Sequence, residues 1–424
     1  MEIERLERIK KTTAIHLAME AKETLKKITE DFPDNPDAMG YFYSLFHKFC
    51  TDRGMLNSSK KLIGTMCLQV PYELIYAAGA VPVRLCSGAY AYDQIGAEFM
   101  PTKSCSLVKA TLGMLNVNQS QYIDLLDVVV IPTTCDQKKK TSDMLKDKGF
   151  RIYNLEMPSV KDTEEGRLYW QRSVKKFALT LQKVTGQKIT KRRLVESIKK
   201  ISRARSEFRR LYNLRKQSPV SIWGKDVFLV TNAYFFDDIE RWTDALTKLN
   251  NELEGRISEG IFVANRHAPR ILFVGSPVIF PNLKLPILIE QSGGIIVTDE
   301  VCSSSRLLYD FVTFDEANLY DMIPAVADRY LKPCTCPCFV KNEDRKRKLK
   351  EMVKEFGVDG VIYQAFSGCH LYEMEHKAVG AMLETDGIPM LYIETDYSPE
   401  DTGQLSTRIE AFMESLKARR RNRG

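Results

Sequence analysis

The sequence contains no run of 18 apolar residues and no apolar stretch near its start of the kind that a secretory signal needs. A membrane-spanning helix and export are therefore not expected, and we predict a cytoplasmic protein without a membrane partner. Two nucleotide-binding patterns are also missing, the GxxxxGKS/T phosphate loop and the GxGxxG dinucleotide fingerprint. If the protein uses the energy of ATP, that energy has to enter through another protein.

Charge of one sign is not strongly in excess, since the formal net charge is +7 in 424 residues. Much of the positive charge falls in residues 188–216 and in the tail 417–424. Solvated helix faces and a frayed terminus account for such runs, although a docking surface for an acidic protein is an alternative. No nucleic-acid-binding module or base-stacking aromatic pattern accompanies them, so we expect no nucleic-acid partner.

Strand-like and helix-like patterns alternate in two parts of the chain, residues 61–158 and 269–424. Residues 1–60 and 159–268 are instead helical in period. Alternating strands and helices are typical of βαβ units. The sequence therefore predicts an α/β protein with two doubly wound Rossmann-like domains containing parallel sheets, plus helical N-terminal and middle segments.

The two α/β parts repeat one another in the order of their features. Each passes a cysteine before a helix, Cys105 or Cys338, and then reaches an apolar strand that ends in a cysteine, Cys135 or Cys369. The two spacings are 30 and 31 residues. Ligands gather at the carboxyl ends of the strands in such sheets, and these cysteines are expected there.

Ten cysteines in a cytoplasmic protein need an explanation, because disulfides are disfavoured in that compartment. Zinc sites usually use close pairs such as CxxC, whereas these spacings are tens of residues, apart from KPCTCPC. Iron–sulfur clusters accept thiolates from distant loops. The candidate ligands, three from each α/β domain, are Cys67, Cys105, Cys135, Cys302, Cys338 and Cys369.

Several assignments stay open at this point. Cys336 is the rival of Cys338, and Cys334 in the same loop is expected to be a bystander. Cys86, which lies opposite Cys302 in the repeat, is an alternative to Cys67. A small core residue remains the simplest role for any single cysteine.

Polar residues follow two of the candidate ligands. His370 and Glu373 come after Cys369 and are candidate proton donors to a bound substrate, with ordinary helix hydrogen bonding as the alternative role. Lys138–Lys140 follow Cys135, and positive charge there would stabilise a reduced cluster.

Several segments resemble a known family. CLQVPYELIYAAGAVPVRL, IPTTCDQKKKTSDML and GVIYQAFSGCHLYEME are similar to the D-component family of 2-hydroxyacyl-CoA dehydratases and benzoyl-CoA reductases, and the resemblance runs from about residue 55 to 415. Cysteines in both domains resemble one branch, the double-cubane cluster proteins. That resemblance implies an 8Fe–9S cluster, two cubanes joined by a bridging sulfide, bound by the six cysteines above. The known dehydratases carry one 4Fe–4S cubane per subunit.

The resemblance also implies a reaction and partners. We expect an ATP-dependent iron–sulfur oxidoreductase that performs low-potential reduction of small molecules. An ATP-hydrolysing, dimeric iron–sulfur reductase would supply its electrons, and the chain itself would form a homodimer. The alternatives are a subunit of a 2-hydroxyacyl-CoA dehydratase or acyl-CoA reductase with a 4Fe–4S cluster, and an electron carrier or cluster-storage protein without a substrate.

Overall fold

The computed structural model describes residues 2–51, 60–117, 121–308 and 310–421. The N-terminal segment forms two helices, α1 (Glu2–Glu30) and α2 (Met39–Thr51). Residues 52–59 of the predicted helical segment lie outside the described residues.

The first sheet has four strands that all pair in parallel, in the order β2-β1-β3-β4. Its third strand is the continuous apolar run of the sequence, and its last five residues are buried, as a strand covered on both faces requires. The strands are β1 (Leu62–Thr65), β2 (Val81–Arg84), β3 (Leu126–Pro132) and β4 (Ile152–Leu155). The helices of this domain are α3 (Tyr72–Ala77), α4 (Tyr90–Gly96), α5 (Ser106–Val117), α6 (Gln121–Asp124) and α7 (Asp136–Asp147).

Four helices form the middle segment: α8 (Glu164–Thr185), α9 (Lys191–Leu214), α10 (Gly224–Ala233) and α11 (Ile239–Glu259). The hydroxyl of Thr190 caps α9 by accepting the backbone N–H of Arg193. The basic residues of α9 other than the buried Arg205 lie on its outer face, where Arg210 pairs with Glu254 of α11 at 2.6 Å. Ion pairs within the protein therefore engage part of the positive charge that the sequence concentrates here.

The second sheet is also parallel and has the order β6-β5-β7-β8. Its strands are β5 (Arg270–Gly275), β6 (Ile295–Val301), β7 (Gly360–Phe366) and β8 (Met390–Thr395). The accompanying helices are α12 (Lys284–Gln291), α13 (Leu319–Leu331), α14 (Glu343–Glu355), α15 (His370–Thr385) and α16 (Thr402–Arg421). The order matches the first sheet strand for strand, which confirms the predicted fold class.

The two sheets are joined by one hydrophobic core that includes Ile63 of β1, Trp170 of α8 and Phe273 of β5. The carboxyl ends of the strands in the two sheets meet across a cleft, where the hydroxyl of Tyr397 donates to the carbonyl of Ser87 at 3.1 Å. Among the described residues, no helix is long and apolar enough to cross a membrane.

Candidate metal centre

Five of the six candidate cysteines lie at strand ends and helix starts, whereas Cys338 lies in a turn before α14 and does not start that helix. Cys67 follows β1, and Cys302 follows β6 directly. Cys105 immediately precedes α5, and Cys135 and Cys369 occupy the N-cap positions of α7 and α15. Unpaired N–H groups and the positive end of a helix favour a thiolate at such positions.

Sulfur atoms of the two domains pair across the cleft. The thiol of Cys302 donates to Cys67, and this hydrogen bond lowers the pKa of Cys67 to about 6 although burial opposes the shift. The thiol of Cys369 donates in the same way to Cys105 and lowers its pKa. The pKa values of both donors rise well above their usual range, first because of these same hydrogen bonds and then because of burial. Each of these two interactions joins a cysteine of the first domain to a cysteine of the second.

A glycine and a glutamine allow the second pair to form. Gly368 has φ +76°, and a Cβ there would lie 1.8 Å from the carbonyl oxygen of Lys103, so only glycine fits at this approach of the two domains. The side-chain amide of Gln137 donates to the carbonyl of Gly368 at 2.8 Å. Its oxygen accepts the backbone N–H of Cys105 at 2.9 Å. One side chain thus links the loop before Cys105 to the loop before Cys369.

The loop 333–338 adds three cysteines to the cleft. Cys338 donates to Cys336 and lowers the pKa of Cys336 to about 7, with the positive charge of Arg306 acting in the same direction against burial. Cys334 accepts a hydrogen bond from the side-chain amide of Gln69. One small cavity is lined by Cys67, Cys302, Cys334 and Cys336. Cys334, expected to be a bystander, therefore lies among the candidate ligands, and the choice between Cys336 and Cys338 stays a prediction.

Cys86 lies at the edge of the same cleft. It is half-buried, and its thiol lies 3.8 Å from the carbonyl oxygen of Met66. It follows β2 as Cys302 follows β6, so the two residues are equivalent in the repeat. The side chain of Cys50 lies outside the described part of the structure.

The donor set fits an iron–sulfur cluster better than a single metal ion. All nine cysteines with described side chains are free, and four of them, from both domains, line one small cavity. No three Cys, His, Asp or Glu side chains among the described residues are arranged to hold one ion. A zinc ion would need each sulfur about 2.3 Å from one point. A cluster gives each thiolate its own iron, so its ligands surround a larger body.

Three cationic side chains, Arg84, Lys138 and Arg306, face the sulfurs. Burial disfavours the charged form of each, but neighbouring thiols raise the pKa values of Arg84 and Lys138 above their usual range. Glu300 and Cys336 raise that of Arg306. This concentration of positive charge offsets the negative charge of thiolates, and it would also offset that of an anionic cluster.

A buried ionic network that sequence reasoning missed supports the 333–338 loop. Glu300 of β6 accepts hydrogen bonds from Arg306 at 2.6 Å and from Arg345 of α14. It also accepts the hydroxyl of Thr335, which lies between two of the loop cysteines, at 2.5 Å. The sequence could have indicated this network, because Asp299 and Glu300 lie in a mainly apolar strand and a buried carboxylate needs partners.

The structure places the two candidate proton donors differently. His370 is exposed, and Glu373 is half-buried. The carboxylate of Glu373 accepts the backbone N–H of Gly368 at 2.6 Å, so it holds the turn that precedes Cys369. The proton-donor roles of both residues stay predictions.

Comparison with known proteins agrees with this architecture. Residues 67–416 match the family model described as 2-hydroxyglutaryl-CoA dehydratase, D-component. The chain is 33% identical over 359 residues to YjiM of Escherichia coli K12, named as a candidate dehydratase subunit, covering 84% of this chain and 91% of that protein. It is 27% identical to the beta subunit of (R)-2-hydroxyglutaryl-CoA dehydratase from Acidaminococcus fermentans, covering 84% and 93% of the two chains.

A reductase component is similar to this chain as well. One of the subunits of benzoyl-CoA reductase from Thauera aromatica is 26% identical over 367 residues, which cover 85% of this chain and 92% of that protein. These matches confirm the resemblance found in the sequence. With its two equivalent sheets and its cysteine-lined cleft, the chain belongs to the 2-hydroxyglutaryl-CoA dehydratase D-component family.

Proposed function

We propose that this protein is an iron–sulfur reductase that carries a double-cubane 8Fe–9S cluster and reduces small molecules at low potential. The observation that carries the proposal is that cysteines of both domains line one cavity, Cys67 from the first domain and Cys302, Cys334 and Cys336 from the second. One cubane bound within one domain needs no ligands from the other. Ligands contributed by both domains to one cleft suit a larger cluster between them.

Six cysteines would hold the cluster: Cys67, Cys105, Cys135, Cys302, Cys338 and Cys369, with Cys336 as the rival of Cys338. When bound, the cluster would supply low-potential electrons. The half-buried Lys138 and the buried Arg84 would balance its charge from the side of the first domain. Gln137 and Glu373 would keep the loops of Cys105 and Cys369 in place through their backbone hydrogen bonds.

The electron donor in this proposal is an ATP-hydrolysing iron–sulfur protein. The sequence has no phosphate loop of its own, so coupling to ATP requires a second protein. Several relatives are named as subunits, which agrees with a system of several components. We also propose that the chain forms a homodimer in the cytoplasm.

The second candidate is a subunit of a 2-hydroxyacyl-CoA dehydratase or acyl-CoA reductase with one 4Fe–4S cluster. The names of the relatives favour it, because they refer to thioesters of coenzyme A. The two candidates differ in cluster size. Iron and acid-labile sulfide analysis of the anaerobically purified protein separates them.

The expected result is about eight irons per chain, whereas about four support the second candidate. One or two zinc ions and no sulfide contradict both. Cys135→Ala and Cys369→Ala are each expected to remove most of the iron-based absorbance. Cys86→Ala is the comparison variant and is expected to keep it. Unchanged iron content in either of the first two variants would show that the residue is not a required ligand.

A further inference from the structure

A cavity of about 110 Å³ lies beside the cysteine cleft, between the N-terminal helices and the loop after β5. Most of its wall is aromatic or aliphatic and includes Phe46, Phe235, Phe236, Ile279 and Phe280. Arg84, Cys86 and Ser87, which end or follow β2, contribute polar atoms. The cavity is therefore apolar with one cationic end.

Arg84 is only 7% exposed, and its Nε and Nη1 have no hydrogen-bond partner among the described residues. Among the described residues, no carboxylate forms an ion pair with Arg84. The ring of Phe235 lies 4.4 Å from the guanidinium carbon, and the backbone N–H of Arg84 donates to the carbonyl of Phe235 at 3.1 Å. The guanidinium is thus held in place with free donors, an arrangement that is costly unless an anion completes it.

The size of the cavity limits what it can hold. An engineered apolar cavity of about 150 Å³ accepts benzene, so a volume of about 110 Å³ suits a chain of about four carbon atoms. Pockets for drug-sized ligands are about 300–1,000 Å³, which excludes the body of a coenzyme. The charge of Arg84 selects a ligand with an anionic end, and a carboxylate matches the fork of a guanidinium.

We propose that this cavity binds a short-chain monocarboxylate, with its alkyl part against the phenylalanines and its carboxylate on Arg84. The bound acid would lie next to Cys86, which lines the same cavity. Any role of this acid in catalysis would rest on the proposed reductase function. The binding site itself does not, because it is built from residues that line the cavity whatever the cleft holds.

The test is anaerobic calorimetric titration of the purified protein, with its metal content intact, using butyrate. Saturable binding of one butyrate per chain is expected, and butyramide, which has nearly the same shape but no charge, should bind at least about tenfold more weakly. Hexanoate should also bind more weakly because its chain exceeds the cavity. Absence of saturable butyrate binding would overturn the proposal.

Two variants locate the site. Arg84→Gln removes the charge, and Ile279→Phe fills part of the cavity while leaving Arg84 unchanged; each should weaken butyrate binding at least about tenfold. The control is Arg203→Gln on the outer face of α9, which should bind butyrate like the unchanged protein. Unchanged butyrate affinity in both cavity variants would overturn the proposal. A protein that binds no butyrate, but whose cluster potential changes in Arg84→Gln, would also overturn it, because Arg84 would then act only on the cluster. Iron analysis is independent of this result. Eight irons without butyrate binding would refute only the proposed binding site. Butyrate binding by a protein without a cluster would refute only the proposed reductase function.

Discussion

Replacement of Glu73 should reveal the interaction that fixes two of the cysteine loops to the middle helices. Glu73 lies in α3, shortly after Cys67, and its side chain is fully buried. Its Oε1 lies 2.9 Å from Nη2 of Arg205 in α9. Its Oε2 accepts the hydroxyl of Tyr330 at 2.8 Å, and Tyr330 lies near the end of α13, just before the cysteine loop 333–338.

Glu73→Gln keeps the shape of the side chain but removes its charge. Arg205, whose side chain is only 5% exposed, would then remain as a buried cation without a carboxylate partner. Breaking a buried ion pair in this way costs about 3–5 kcal/mol in the free energy of unfolding. The pair between Arg203 and Asp244 on the neighbouring surface is over half exposed at both residues, so Asp244→Asn should cost less than about 1 kcal/mol.

Urea unfolding under anaerobic conditions measures both variants. In a double-mutant cycle with Arg205→Met, the double variant should lose less stability than the sum of the single variants. Burial raises the pKa of the Glu73 carboxyl, but the charges of Arg205 and Arg329 and the hydrogen bonds to Glu73 together outweigh burial, so the net pKa is lowered from 4.5. The stability contributed by Glu73 is therefore present above pH 4.5 and is lost as the pH falls through the lowered pKa. A cost for Glu73→Gln no larger than that of Asp244→Asn would refute the reasoning.

Three further predictions concern other buried groups. Glu300→Gln should cost about 3–5 kcal/mol, because the buried Arg306 loses its carboxylate partner, and iron should leave the protein faster when a chelator is added. Burial raises the pKa of Glu290 to about 7, although hydrogen bonds from backbone N–H groups oppose the shift. The contribution of Glu290 to the free energy of unfolding is therefore greatest below pH 4.5 and falls by about 3 kcal/mol as the pH rises to 7. Glu290→Gln should reduce this pH dependence, which urea unfolding at pH 5 and pH 8 measures. Cys338→Ala should lower iron content more than Cys334→Ala, and the reverse order would exchange their assigned roles.

The sequence predicts the fold well because its strands are strongly marked. The apolar run at residues 126–132 and the repeated order of features were enough to indicate two parallel sheets. The positions of the cysteines at strand ends follow from the same pattern. The domain boundaries assigned from composition, such as 158 and 268, stay predictions.

The arrangement of the cysteines relative to one another could not be predicted in the same way. Cys105 and Cys369 meet only because the two domains dock, and that docking depends on a glycine at 368 and on the amide of Gln137. Contacts between residues more than 200 positions apart leave no local pattern. The place of Cys334 in the cleft depends in the same way on Gln69, a residue of the other domain.

The two domains contribute different electrostatic environments to one cleft. Arg84 and Lys138 come from the first domain and have no carboxylate partner among the described buried residues, whereas Arg306 of the second is neutralised by Glu300. The uncompensated positive charge therefore lies on the side of the first domain, beside Cys67 and the cavity above Arg84. An anionic ligand, whether a cluster or a carboxylate, is stabilised most on that side. The second domain contributes cysteines instead, since Cys302, Cys334 and Cys336 line one cavity with Cys67, so the proposed site requires both domains.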